Sequence, residues 1–322
     1  MAKAIVIGCN GQDGTLLCTF LHQRGYNVYG VDHARSDRTQ SFVCFSMLDV
    51  CDPHRLRKLI AEVIPDEVYY LAAYHHSAEQ PKPLGETVGL SLAVNAQGLN
   101  NVLAAIVDLP AAKPRVFYAA SSRVFGEPPG DVQDESTPLA PLCAYGISKA
   151  AGIHLCRYYR QEHQVYASTG ILYNHESPLR PQRFVTRKIV RAAVRISSGL
   201  ERELVLGDLD ARVDWGWAPD YVEAMHAILH LACPDDFVLA TGILHSVREF
   251  AEIAFSAVGL DWREYVVERH DVLDGRRAVK PLCGNSEKLQ TATGWRPRVS
   301  FEEMVRTMIA VEEGKSWSAF GA

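Results

Sequence analysis

Short apolar runs alternate with longer helix-patterned segments through the first half of the chain, and that rhythm leaves few folds open. Runs that read as strands fall at Ala4–Ile7, Asn27–Val31, Val43–Met47, Glu67–Leu71, Arg115–Ala120 and Tyr166–Leu172. Helical patterns fill the intervals near Gly14–Arg24, Pro53–Val63, Gly85–Val107 and Cys143–Gln161. Strands separated by helices of that length pair in parallel, because a parallel pair needs a crossover that a helix can fill. The fold class expected is α/β, a Rossmann-type doubly wound parallel sheet. Such sheets take their ligands at the carboxyl ends of the strands, so function is sought there.

The first of those ends carries Gly8-Cys9-Asn10-Gly11-Gln12-Asp13-Gly14, three glycines three residues apart at a strand-to-helix turn. Glycine there allows positive φ and lets backbone N–H groups approach a pyrophosphate at the helix N-terminus. The spacing is GxxGxxG, a variant of the usual dinucleotide fingerprint. Gln12 and Asp13 lie inside the turn. Asp32, at the end of the second strand, is placed to accept hydrogen bonds from ribose hydroxyls, which favours NAD; Arg35 and Arg38 close behind keep NADP open. Asp49 and Val50 after the third strand, and Leu71-Ala72-Ala73 after the fourth, complete the expected cofactor contacts. Asp49 reads equally well as a helix-capping residue ahead of Pro53.

Beyond about residue 173 the rhythm changes to loops rich in Pro, Arg and Asp, a strand-like Glu203–Gly207, and helices near Asp220–Leu231, Val247–Val258 and Phe301–Glu312. Two regions are therefore expected: residues 1–173 around the dinucleotide and residues 174–322 forming a smaller mixed lobe over the substrate. With 322 residues, 48% hydrophobic and 22% charged, the chain has ample material for a core. Its formal net charge of −5 offers no field for a nucleic-acid backbone. The longest uncharged run, Thr87–Val107, contains Asn95, Gln97, Asn100 and Asn101, which argue against a membrane span. The N-terminal apolar stretch is too short for a signal peptide. Eight cysteines without a CxxC pair read as reduced thiols, so a cytoplasmic location is expected, and no zinc spacing of His and Cys predicts a metal.

Tyr145 and Lys149 stand four apart, hence on one face of the helix near Cys143–Gln161. A phenol serves as a base near neutral pH only when a neighbouring cation favours its phenolate, and Lys149 supplies one. Upstream, Ala119–Gly126 (AASSRVFG) ends a strand, where Ser121 can bond the same substrate oxygen as Tyr145. A glycine turn followed by Ser, Tyr and Lys at these separations resembles the extended short-chain dehydrogenase/reductase family. Within it the chain is similar to the GDP-mannose 4,6-dehydratases, on Gly8–Gly14, Tyr173–Pro178 (YNHESP), Phe184–Ile189 (FVTRKI), Gly207–Ala211, Asp214–Gly216 and Asp220–Met225.

The resemblance implies Ser121, Tyr145 and Lys149 as the catalytic trio and a GDP-linked hexose as substrate. It places Asn174, Lys188 and Arg212 around the sugar nucleotide, with Arg276 or Arg277 near its phosphates or ribose, and it implies a homodimer through the helices near Gly85–Val107 and Cys143–Gln161. Guanidinium forks suit phosphate oxygens. Tyr74, His75, His76 and Ser77 fall where the sugar would lie, and His76 is the first choice among them for an added acid or base.

Three departures stand out. The dehydratases carry a Glu two residues after the Ser, which removes the C5 proton; here Arg123 stands there, and an arginine cannot be a base. Val213 replaces an Arg ahead of Asp-Trp-Gly, with Arg212 one residue earlier. Asp32 takes a position usually cationic. Losing the elimination base while keeping Tyr145 leaves reversible C4 oxidation, so 4-epimerisation is the expected outcome. The alternatives are a 4,6-dehydratase with a different base and a 4-keto-sugar reductase. A non-catalytic dinucleotide sensor is a further reading that the intact Tyr145 and Lys149 argue against.

Overall fold

The computed structural model describes residues 1–75, 83–110, 113–269 and 280–320. Its centre is a seven-stranded, all-parallel sheet made of β1 (Lys3–Ile7), β2 (Asn27–Asp32), β3 (Cys44–Met47), β4 (Glu67–Tyr70), β5 (Arg115–Ala119), β6 (Ala167–Leu172) and β7 (Asp236–Leu239). The spatial order is β7-β6-β5-β4-β1-β2-β3. The order reverses direction between β1 and β4, which is the switch point where a crevice opens at the carboxyl ends. Six of the strands lie where the hydrophobic runs put them, and burial on both faces explains why β4 and β6 read as continuous runs and not as alternating ones. The seventh comes from beyond residue 173, and the helix Ala218–Leu229 packs beside the first helix, α1 (Gln12–Gln23), on the same sheet face.

Helices cover both faces, with one core on each. One face holds Leu99, Val102, Leu103, Ile106 and Ile153 against the sheet, and the other holds Leu17, Phe20, Leu21, Met225 and Ile228. A third core, around Trp215, Phe250, Phe255 and Met304, belongs to the C-terminal helices. The run Gly85–Val107 is one continuous helical rod long and apolar enough to cross a membrane, with 56% of its most apolar window buried inside the protein. Within it the ladder widens to a π-helical turn at Ala93–Gln97. The helix carrying Tyr145 spans Ala144–His163.

Candidate active site

The glycine turn closes as its spacing predicts. Gly8 has φ +89°, and a Cβ there would lie 2.7 Å from the Ala72 nitrogen; one on Gly14 would lie 2.1 Å from the Gly8 oxygen. No side chain fits at either position, so the turn packs its backbone directly against the loop after β4 and against the start of α1. Gly11, with φ −70°, begins the helix, and a Cβ there would meet the Gly8 oxygen at 3.3 Å, a tight contact but a milder one than at Gly8 or Gly14. At the end of β2, Asp32 is held by the Asn10 and His33 N–H groups at 3.1 and 2.9 Å. Asp49 accepts from Cys51 N, and it is Asp52 that caps the following helix. Val50 is buried in the core, and Leu71-Ala72-Ala73 follow β4 beside Gly8.

Gln12 and Asp13 point elsewhere in the same crevice. Gln12 Nε2 donates to the His175 carbonyl, Ser177 Oγ donates to Gln12 Oε1, and Asp13 Oδ2 lies 2.9 Å from His175 Nε2. Burial raises the Asp13 carboxyl and lowers the His175 imidazole, but their mutual charge and hydrogen bond prevail and hold Asp13 below the usual carboxylate range and His175 above the usual imidazole range. Two residues of the nucleotide turn thereby lock the Asn174–Glu176 strand in place.

At the carboxyl end of β5, Ser121 begins a short turn, and Tyr145 stands within reach of it at the start of its helix. Burial pushes the Tyr145 phenol up to about 12, while Arg180 and a hydrogen bond with Ser121 pull in the other direction. Lys149 is 1% exposed; its Nζ donates to the Ala119 carbonyl at 2.7 Å and lies 5.7 Å from the Tyr145 ring centroid. Burial lowers its ammonium to about 7, with Asp13 opposing. The i, i+4 spacing places Tyr145 and Lys149 together, and the end of β5 brings Ser121 to the same end of the sheet.

Two further residues belong to this centre. Asn95, fully buried in the π-helical turn, accepts from Tyr74 N at 2.8 Å and donates to Ser148 Oγ at 2.9 Å, tying the loop after β4 to the helix that carries Tyr145. Its amide in an apolar run was the sequence signal. His75 sets its ring edge-on against Tyr145 at 4.8 Å and stacks on Phe184 at 5.7 Å. Although His75 keeps an exposed edge, partial desolvation and then Arg180, Arg183, Arg123 and Lys149 push its imidazole down to about 4. His76, Arg276 and Arg277 lie outside the described residues. Arg123 is exposed two residues beyond Ser121, and Glu176 is buried, accepting from Thr186 Oγ1 at 2.7 Å and pairing with Arg180. Asn174 and Lys188 are exposed, as is Arg212, whose Nη2 donates to the Leu244 carbonyl.

A family model described as GDP-mannose 4,6 dehydratase matches residues 5–308. A GDP-mannose 4,6 dehydratase of Arabidopsis thaliana is 37% identical over 95% of this chain and 88% of its own. Two solved structures share the fold. UDP-glucose 4-epimerase of Thermotoga maritima with UDP-glucose has a TM-score of 0.85 at 18% identity, covering 97% of this chain and 99% of its own. dTDP-glucose 4,6-dehydratase of Bacillus anthracis in complex with NAD has a TM-score of 0.81 at 17% identity, covering 98% and 97%. The family match goes against the 4-epimerisation expected from Arg123: one exchanged side chain is outweighed by agreement along nearly the whole chain, on the side of the dehydratases.

Proposed function

The chain belongs to the GDP-mannose 4,6-dehydratase family, and from that premise we infer that it oxidises a GDP-hexose at C4 with NAD or NADP and then eliminates water across C5 and C6. The observation that carries this is the convergence of Ser121, Tyr145 and Lys149 beside the glycine turn. Gly8, Gly11 and Gly14 would hold the cofactor's pyrophosphate and Asp32 its ribose, with NAD favoured by that carboxylate. The cofactor's part, when bound, is to accept and return a hydride. Tyr145 moves the C4 hydroxyl proton, Ser121 orients that oxygen, and Lys149, in its protonated form, favours the phenolate. Asn174, Lys188 and Arg212 are the residues proposed around the sugar nucleotide.

The C5 proton needs another acceptor, since Arg123 stays protonated and Glu176 is committed to Thr186 and Arg180. His75 fills that place in this reading. Its ring abuts Tyr145, and partial desolvation followed by the surrounding cations keeps it unprotonated at physiological pH. Incubation of the purified enzyme with GDP-mannose and cofactor, followed by mass spectrometry, tests the reading. A product lighter by one water is expected; an isomer of unchanged mass overturns it.

A further inference from the structure

At the end of the sheet opposite Tyr145, four side chains from three elements converge. Glu67 is the first residue of β4 and is 5% exposed. His226 and His230, one helical turn apart, come from the end of the helix Ala218–Leu229, and Tyr26 precedes β2. One ligand atom from each of Glu67, His226 and His230 lies within 4.8 Å of the others. The Tyr26 hydroxyl is 3.0 Å from Glu67 Oε1, 3.4 Å from His226 Nε2 and 3.5 Å from His230 Nε2, and His230 Nε2 is 3.4 Å from Glu67 Oε1. Ligand bonds of about 2.0–2.1 Å in a tetrahedral zinc site require donor atoms roughly 3.3 Å apart, and four of the pairs here have that spacing.

The hydrogen bonding leaves this cluster rich in lone pairs and poor in protons. His230 Nδ1 lies 2.8 Å from the His226 carbonyl, an acceptor only, so Nδ1 carries a proton and, in the neutral ring, Nε2 presents its lone pair to the cluster. Glu67 Oε2 is fixed by the Tyr69 hydroxyl at 2.7 Å, which aims Oε1 at the same point. The single Tyr26 proton cannot serve Glu67 and both imidazoles at once. A compact divalent cation accepting these lone pairs resolves the arrangement.

We propose that Glu67, His226 and His230, with Tyr26 as fourth donor directly or through a water, bind one zinc-class divalent ion that clamps β4, the segment before β2 and the helix Ala218–Leu229 together. Two imidazoles and oxygen donors suit zinc among the available metals. The site is structural and separate from the crevice of the catalytic trio, so it leaves the sugar chemistry in place.

The test uses untagged, chelator-stripped protein. Zn2+ titrated by calorimetry is expected to bind at one ion per chain and to raise Tm by a few degrees at saturating metal. Glu67→Gln, nearly isosteric, is expected to weaken binding at least tenfold, and His226→Ala with His230→Ala to abolish it while turnover stays within twofold of wild type. Co2+ in the wild-type site is expected to give the intense visible bands of a tetrahedral ion without thiolate charge-transfer absorption, a readout that needs no variant to fold. No uptake by wild type, binding retained in the double variant, or a thiolate band showing cysteine ligation would each overturn the proposal.

Discussion

At the scale of single residues, the centre is governed by burial opposing charge. The same desolvation that pushes Tyr145 up to about 12 pulls Lys149 down to about 7. The unfolded chain holds the Lys149 proton up to about 10.5, so between pH 7 and 10.5 the unfolded state binds more protons and this group makes stability rise with pH. Lys149→Met removes that contribution. The wild-type Tm is therefore expected to gain on the variant's as pH goes from 7 to 9, and parallel Tm curves would show that Lys149 stays charged in the fold. His75 gives a second prediction. A base that titrates near 4 stays available throughout the neutral range, so turnover is expected to show no acid limb between pH 5 and 7. His75→Asn should retain C4 oxidation, seen as reduced-cofactor absorbance, while water loss falls about 10²–10⁴-fold. Equal loss of both steps would make His75 a packing residue. Sequence periodicity put Tyr145 and Lys149 on one helix face, since four residues make about one helical turn, but Ser121 and the glycine turn were needed to single them out. It gave no way to choose between His75 and His76, because a loop has no repeat that fixes which side chain faces inward.

At the scale of elements, the strands were legible because parallel strands buried on both faces are unbroken apolar runs bounded by turn residues. The long rod Gly85–Val107 was legible as a helix, but its π-helical turn was not, since the extra residue per turn leaves no mark in composition. That turn brings Asn95 to the catalytic helix. Asn95→Ala would leave Tyr74 N–H and the Ser148 hydroxyl without this partner. An unmet buried donor costs about 1–3 kcal/mol, so denaturant titration should report a loss of that order. Turnover should fall further than stability suggests, because the loop bearing His75 loses its anchor. The convergence of Glu67, His226 and His230 was equally hidden: the two histidines share a helix face by spacing, but their carboxylate partner lies about half the chain away.

At the scale of the molecule, the segments on either side of residue 173 interlock. The later part returns β7 and the helix Ala218–Leu229 to the central sheet, and His175 and Ser177 anchor Gln12 and Asp13 of the nucleotide turn. A sequence shows where rhythm changes, but not that a later strand rejoins an earlier sheet. The outer surface carries one more consequence. Ile147 and Tyr158 are 47% and 51% exposed on the helix that presents Tyr145 inward. They are eleven residues apart, about three turns, so they share an outward stripe. Leu92, 39% exposed, stands on the rod Gly85–Val107, which packs beside that helix. Adjacent helices offering large apolar side chains to water form a face that a second copy of the chain can cover, and a two-fold arrangement of such helices buries the same residues from both partners. The expected outcome is a wild-type mass near twice 35.7 kDa by light scattering, and a single-chain mass for Ile147→Asp with Tyr158→Asp. Both side chains face away from the crevice, so the separated variant should keep the fold seen by circular dichroism. A wild-type protein running at the mass of one chain would remove the dimer and leave this stripe as ordinary exposed surface.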